Sequence, residues 1–538
     1  MAMTHANHSE LTPLRFLERS AEVYPSKQAV LHGTRSYTYA ELEARIHRFA
    51  QVIRERITPG DRVAVLAPNT PEMLMAHYAV PLAGGVLIAL NTRLSAHELQ
   101  YIMDHSEAKL LFADTELLGN TKMLRAENPT LQALIELTDD QFTGRRPDVA
   151  VDAVLDELLA EASEVKLPYS VEDERAPITL NYTSGTTGKP KGVLYSHRGS
   201  YLNSLGEAMH QGMNSATRYL WTLPMFHCNG WCTPWAVTGA GASHVCLRAV
   251  RVDAVWSALD GLGVTHLCGA PTVCSIIADA GQAHPLDRPM RITTAGAPPS
   301  PTVIEKLDRL GVTVVHVYGL TEVYGPFTIC EYQREWDDLP PADRARRLSR
   351  QGVGMLQAES ARVVDEQLLD VPADGITIGE IVLRGNNVMA GYFKDDAATE
   401  QAFRGGWFHS GDLGVMHPDG YIELKDRAKD IIISGGENIS TIEVENAVLS
   451  HPAVAEAAVI GMPSVKWGER PRAFVVVRPG VEVSSAAILD HVKGLIAKFK
   501  VPDEVIFVDV LPRTATGKIR KNELRATDPA ARVLATAP

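Results

Sequence analysis

Between Tyr182 and Gly192 the chain reads Tyr-Thr-Ser-Gly-Thr-Thr-Gly-Lys-Pro-Lys-Gly. Thr183, Ser184, Thr186 and Thr187 supply hydroxyls, Gly185 and Gly188 let the backbone approach a ligand, and Lys189 and Lys191 supply positive charge. Hydroxyls, free N–H groups and lysines in one short loop suit a polyphosphate. The Walker-type loop is the first rival. It needs four residues between its glycines and Ser or Thr after the lysine, at a helix start. Here only Thr186 and Thr187 separate Gly185 from Gly188, and Pro190 follows Lys189. A lone Gly-Thr-Thr-Gly would pass for an ordinary hairpin; the whole stretch fits one task.

Five further stretches hold residues that could do chemistry. Tyr318-Gly319-Leu320-Thr321-Glu322 sets a flat ring, a hydroxyl and a carboxylate close together. The hydroxyl suits a phosphate, and Glu322 offers the hard oxygen that Mg²⁺ takes beside polyphosphate. Phe226, His227 and Trp231 in the apolar stretch from Leu223 suit a pocket wall, although a lone His there is more often a satisfied core residue. Cys228 and Cys232 beside His227 lack the paired Cys-x-x-Cys hooks of zinc sites, so buried thiols are expected. Asp412, in Ser410-Gly411-Asp412-Leu413-Gly414, can simply stabilise a turn. Leu424–Asp430 is a charge cluster, and Lys518 follows Gly517 in a basic tail; both patterns usually mark solvated surface.

These groups need a frame. Ile178–Tyr182 leads into the polyphosphate loop and Val193–Tyr195 leads out, which reads as strand, loop, strand. Pro190 favours the extended return. Upstream, Ala29–Leu31 and Ser36–Thr38 flank a turn at Gly33, and Thr38 caps a helix through Leu42 and Phe49. The strand Arg62–Leu66, the helix Glu72–Leu82 and the strand Val86–Leu90 form a βαβ unit, hence a parallel sheet that Lys109–Ala113 and Ala133–Leu137 extend. A second alternating region runs from Asp253 to Val317. Its strands Ile292–Ala295 and Val312–Val317 end in Gly296-Ala297-Pro298-Pro299 and at Tyr318. Both loops follow the carboxyl ends of strands, where α/β sheets place ligands, so they are expected to converge on one crevice. Residues 352–425 read as short strands with turn signals, a β-barrel-like region, and 430–538 as a small α/β domain.

Composition bounds the reading. A chain of 538 residues needs more than one core. The formal charge of −13 and pI near 5.8 argue against a nucleic-acid partner. No run reaches the ~18 apolar residues of a membrane helix. Met1–Glu10 lacks the basic and apolar regions of a signal peptide, which predicts a cytoplasmic protein. Six cysteines in a chain this long predict no disulfide framework.

The Tyr182–Gly192 stretch and the motifs that follow it in order resemble the adenylate-forming superfamily of acyl-CoA synthetases, aryl-CoA ligases, luciferases and peptide-synthetase adenylation domains. The wording around Cys228–Trp231 is similar to plant acyl-activating enzymes and bacterial short- or medium-chain acyl-CoA ligases. The resemblance implies an α/β fold: a large N-terminal domain (1–428) of two sheet subdomains plus a β-barrel-like subdomain, a hinge, and a small mobile C-terminal domain (429–538). It implies ATP, Mg²⁺ and CoA as partners of a small carboxylic acid, activated through acyl-AMP, and it leaves open a homodimer. Thr183 to Lys189 would hold the ATP phosphates, Ala297, Pro298, Tyr318 and Gly319 the adenine side, and Asp412 and Arg427 the ribose. Glu322 would hold Mg²⁺, Thr321 a phosphate, and Lys518 would bridge the acid and the α-phosphate as the catalytic lysine. His227, Trp231, Ala295, Gly296 and Gly319 would line the acyl pocket, with Gly319 leaving room where acetyl-specific relatives carry a tryptophan. Lys429 falls at the hinge, and Gly435 and Gly436 at the pantetheine tunnel. Two other readings stay open: an adenylating enzyme serving an amine or separate carrier protein, and a non-catalytic nucleotide sensor.

Overall fold

A computed structural model describes residues 7–183, 190–295, 301–434, 437–464, 466–514 and 519–527. The chain forms two compact units. One takes in the described parts of Met1–Gly185, Lys189–Ser360 and Arg384–Gly406, the other those of Ala361–Leu383 and Trp407–Pro538.

The first unit is built on two large mixed sheets. In the eight-stranded sheet Val86–Ala89, Arg62–Leu66, Leu110–Asp114 and Ala133–Leu137 run parallel, as the βαβ reading predicts. Their near-continuous apolar runs are buried on both faces, as parallel strands under helices must be. Pro177–Tyr182 joins this parallel set beside Val86–Ala89 and then pairs antiparallel with Gly192–Ser196. The expected strand, loop, strand is therefore a hairpin on a large sheet. Thr38 and Glu41 form a full capping box at the head of the helix Tyr39–Arg54.

The nine-stranded sheet carries Arg218–Leu220, His266–Gly269, Met290–Thr294 and Val312–Leu320 in parallel, over a core of Trp256, Leu267, Ile292 and Leu307. One boundary differs from the sequence reading. The last strand does not end at Val317 but runs on through Tyr318–Leu320 and pairs antiparallel with Gly325–Ile329. Hydrogen bonding to a following strand, invisible in propensity, extends it.

The region 352–425, expected to be barrel-like, is shared: Val353–Gly354 and Gly391–Tyr392 join the first unit's sheets, and the second unit holds a four-stranded antiparallel sheet ordered Arg362–Val364, Gly379–Leu383, Phe408–Met416, Ile422–Arg427. Val454–Ser464 and Gly468–Val477 form a long hairpin of a further sheet, with Glu504–Phe507 parallel to the second strand. The helices Thr441–Leu449 and Ser485–Lys493 cover it with Val444, Val448, Ile488 and Val492.

Candidate active site

The polyphosphate loop is closed at its base: the Thr183 N–H donates to the Lys191 carbonyl at 3.0 Å, and the Lys191 N–H to Thr183 Oγ1 at 3.1 Å. Ser184, Gly185, Thr186, Thr187, Gly188 and Lys189 lie outside the described residues. From this base a chain of contacts leads to Glu322. The Lys191 ammonium sits 4.5 Å from the centroid of the Tyr392 ring, and the Tyr392 hydroxyl donates to Glu322 Oε1 at 3.0 Å. Tyr392 reaches this place because Gly391–Tyr392 pairs with Val193–Leu194 on the edge of the eight-stranded sheet. Burial, then the Glu322 charge, pushes the Tyr392 phenol well above its ordinary range, so it stays a donor.

Thr321 and Glu322 leave the Val312–Leu320 strand in a short 3₁₀ turn. The Tyr195 hydroxyl holds the Thr321 carbonyl at 2.6 Å, and the Tyr195 and Tyr324 rings stack with centroids 3.8 Å apart. The Tyr324 hydroxyl in turn accepts the Ser196 N–H at 2.7 Å. Two sheets are thus locked together beside Thr321 and Glu322. No group of three His, Cys, Asp or Glu able to hold a metal occurs among the described residues. Glu322 alone suits Mg²⁺, which binds through one or two carboxylates plus substrate phosphates.

His227 is half-buried and opens an unusual turn. Cys228, Asn229, Gly230, Trp231 and Cys232 all have left-handed φ, between 49° and 63°. Left-handed backbone costs about 1–2 kcal/mol for each non-glycine residue, and such strain gathers at functional sites. The neighbours hold it: the Cys228 thiol donates to Thr321 Oγ1 at 3.4 Å, and the Thr233 hydroxyl to the Gly230 carbonyl at 2.6 Å. Trp231 packs against Gly325, where a Cβ would lie 2.5 Å from its ring. Both cysteines of the turn are buried.

Gly319 sits where two backbones come close. A Cβ there would lie 1.7 Å from the Gly325 carbonyl oxygen and 2.9 Å from the Phe327 nitrogen. It would meet the paired strand, so the hairpin's close approach itself calls for glycine here. Tyr318 is buried within the same strand instead of lying in a loop. Ala295 follows the strand Met290–Thr294 and is half-buried. Gly296, Ala297 and Pro298 lie outside the described residues.

In the second unit Asp412 sits mid-strand, not in the turn its glycines suggest, because Phe408–Met416 is hydrogen-bonded on both sides. It faces Arg427 in register, with Arg427 Nε 3.5 Å from its carboxylate. Lys429 follows, its pKa lowered by burial first and by Arg427 next. Lys518, Gly435 and Gly436 lie outside the described residues. The flanks of Lys518 are tied down: Arg513 bridges Ile519 and pairs with Glu456 at 2.9 Å, and Lys521 pairs with half-buried Glu445 at 2.8 Å.

Residues 17–393 match the AMP-binding enzyme family, and 443–518 match the AMP-binding enzyme C-terminal domain. The chain belongs to the AMP-binding enzyme family. An acetate–CoA ligase of Humulus lupulus is 45% identical over 97% of this AMP-binding enzyme and 95% of its own length. A trans-cinnamate:CoA ligase, peroxisomal, of Petunia hybrida is 43% identical over 97% and 94%. The o-succinylbenzoate coenzyme A synthetase of Bacillus subtilis, solved in complex with ATP and magnesium ion, superposes with a TM-score of 0.81 at 30% identity, covering 95% of this chain and 99% of that one. Tyr195, Tyr324, Tyr392 and Asn229 escaped the sequence reading of this AMP-binding enzyme. Their partners are 48 or more positions away, and only Asn229, between a Cys and a Gly, carried a local turn signal.

Proposed function

We propose that this AMP-binding enzyme is an ATP-dependent carboxylic acid–CoA ligase for short- or medium-chain, branched or aromatic acids. The observation that carries the reading is the path from the closed base of the polyphosphate loop through Lys191 and Tyr392 to Glu322, with Thr321 beside it. Relatives named for acetate and for trans-cinnamate support both ends of the acid range.

In the first step a carboxylate oxygen of the acid attacks the α-phosphorus of ATP, and the bond to pyrophosphate breaks. In the second, the thiol sulfur of CoA attacks the acyl carbon; the bond to AMP breaks and the thiol proton is released. Neither step needs a nucleophile from the protein, so positioning and charge carry the rate. Thr321 Oγ1 serves a phosphate oxygen, and Tyr392, which donates to Glu322 Oε1, orients that carboxylate. Mg²⁺, when bound on Glu322, would neutralise phosphate charge. Asp412 and Arg427 serve the ribose, Lys518 the acid and α-phosphate, and His227 and Trp231 the acyl wall. The division at 428/429, with Lys429 as hinge and Gly435 and Gly436 at the thiol's entry, belongs to the same proposal.

Acid-dependent pyrophosphate release over a panel of short, medium, branched and aromatic acids, followed by CoA-dependent AMP release, tests it. Pyrophosphate without CoA-dependent AMP would overturn the ligase reading. Lys518→Ala should abolish most acyl-AMP formation while sparing thioester formation from supplied acyl-AMP; equal loss in both halves overturns its role. Among the described residues no helix is long and apolar enough to cross a membrane. The cytoplasm is the proposed place of action. Microscopy of the tagged chain against a peroxisomal marker checks it, since the Petunia hybrida relative is named peroxisomal.

A further inference from the structure

A left-handed run of five residues needs something to hold it, and the side chain at its second position does so. Asn229 is fully buried with φ 49° and ψ 44°. Its Oδ1 accepts the Thr179 hydroxyl at 2.8 Å and the Asn181 amide at 2.7 Å. Thr179 and Asn181 are themselves buried, in the strand that runs straight into the polyphosphate loop. On its other sides the turn meets different walls. Cys228 and Trp231, three residues apart, face Thr321 and Gly325, and the Cys232 carbonyl accepts from Ser204 of the helix His197–His210. Residues three apart share a face only while the turn persists. A switch to ordinary backbone at 229 would swing Cys228 and Trp231 off the Thr321–Gly325 hairpin.

Asparagine fits on both counts. It is among the few residues that enter the left-handed region without large penalty, and its carbonyl oxygen satisfies two buried donors. We propose that Asn229 is a positioning residue for the acid. By tying the left-handed turn to the strand before the polyphosphate loop, it sets the wall formed by His227 and Trp231 relative to the nucleotide phosphates. The tie therefore governs acid binding and selectivity more than ATP binding. This inference rests on the reading of His227 and Trp231 as the acyl wall.

Asn229→Gly keeps the left-handed backbone accessible and deletes the tie; Thr179→Val removes one donor and leaves the turn's sequence intact. Each is assayed for the KM of acid and of ATP, kcat, acid selectivity and thermal midpoint, together with the double variant and Trp231→Ala. Loss of two hydrogen bonds should raise the KM for acid about tenfold or more in Asn229→Gly and broaden acid selectivity, with the KM for ATP within about twofold. Thr179→Val should shift the same parameter less, and the double variant should match Asn229→Gly alone, because both changes cut one contact. Strictly multiplicative effects overturn the proposal, as does an equal rise in both KM values or a lower midpoint with kinetics preserved. Should Asn229→Gly fail to fold, Thr179→Val carries the test: an unchanged acid KM in that variant overturns it. A selectivity change in Trp231→Ala without one in Asn229→Gly removes the positioning role alone. No change in either removes the acyl-wall reading and the proposal together.

Discussion

Tyr392→Phe is the sharpest perturbation of the Glu322 end of the proposed site, because so little else changes with it. The ring stays under Lys191 at 4.5 Å, and the backbone N–H stays on Thr399 Oγ1 at 2.9 Å. Glu322 keeps its carbonyl bond from the Met389 N–H at 2.8 Å. Only the 3.0 Å hydroxyl contact with Glu322 Oε1 is lost. A hydrogen bond to a charged group contributes about 1.5–3 kcal/mol. If that bond is what aims the carboxylate, its loss translates to roughly 10–100-fold in kcat/KM for MgATP. The assay is acid-dependent pyrophosphate release, with Mg²⁺ titrated at fixed ATP. The half-saturating Mg²⁺ concentration should rise with the loss of rate, while the thermal midpoint moves little. Glu322→Gln should be at least as severe, and adding Tyr392→Phe to it should cost almost nothing more, since the two share one contact. A Tyr392→Phe enzyme within about twofold of the parent in both rate and Mg²⁺ dependence would refute the assignment of Tyr392 as the residue that aims Glu322.

Gly319→Ala should destabilise the first unit by about 1–3 kcal/mol, because its Cβ meets the Gly325 carbonyl; thermal unfolding measures it, and an unchanged midpoint would mean the hairpin opens freely. Glu207, buried in the helix His197–His210, has its carboxyl pushed up to about 8 by burial, with the Gln211 amide only partly offsetting this. Its contribution is complete below the ordinary carboxyl value of about 4.3 and is lost as pH rises through about 8, so Glu207→Gln should flatten the fall in thermal midpoint between pH 5 and 8. At Asp139 burial works to raise the pKa, but hydrogen bonds from His32, Arg248 and the Gln141 N–H outweigh it and hold the carboxyl far below its ordinary range. That stability is present above about pH 4 and lost as pH falls below it; Asp139→Asn should cost about 1.5–3 kcal/mol at pH 7 and blunt acid unfolding, read by circular dichroism from pH 7 to 3.

Local pattern alone determined much of this protein. The buried strands Arg62–Leu66, Val86–Ala89, Leu110–Asp114 and Ala133–Leu137 were legible because continuous apolar runs separated by helical periodicity have one stable arrangement, a parallel sheet under helices. Membership of the AMP-binding enzyme family was legible because the stretch Tyr182–Gly192 and the later motifs carry their pattern in residue types within a few positions. Tertiary structure decided the rest. Tyr392 meets Glu322 only because an edge strand returns from 70 positions away, and propensity holds no record of that pairing. A glycine in sequence does not tell which neighbour comes close; at Gly319 it is a backbone carbonyl of the next strand. The glycines around Asp412 allow a turn in sequence, yet its strand is paired on both sides, and Asp412 itself lies in register with Arg427. The left-handed run at Cys228–Cys232 lies furthest from what sequence can state. Its strain is opposed by contacts from Thr179, Asn181, Ser204 and Thr321, and no residue can announce a conformation that only its distant neighbours make affordable.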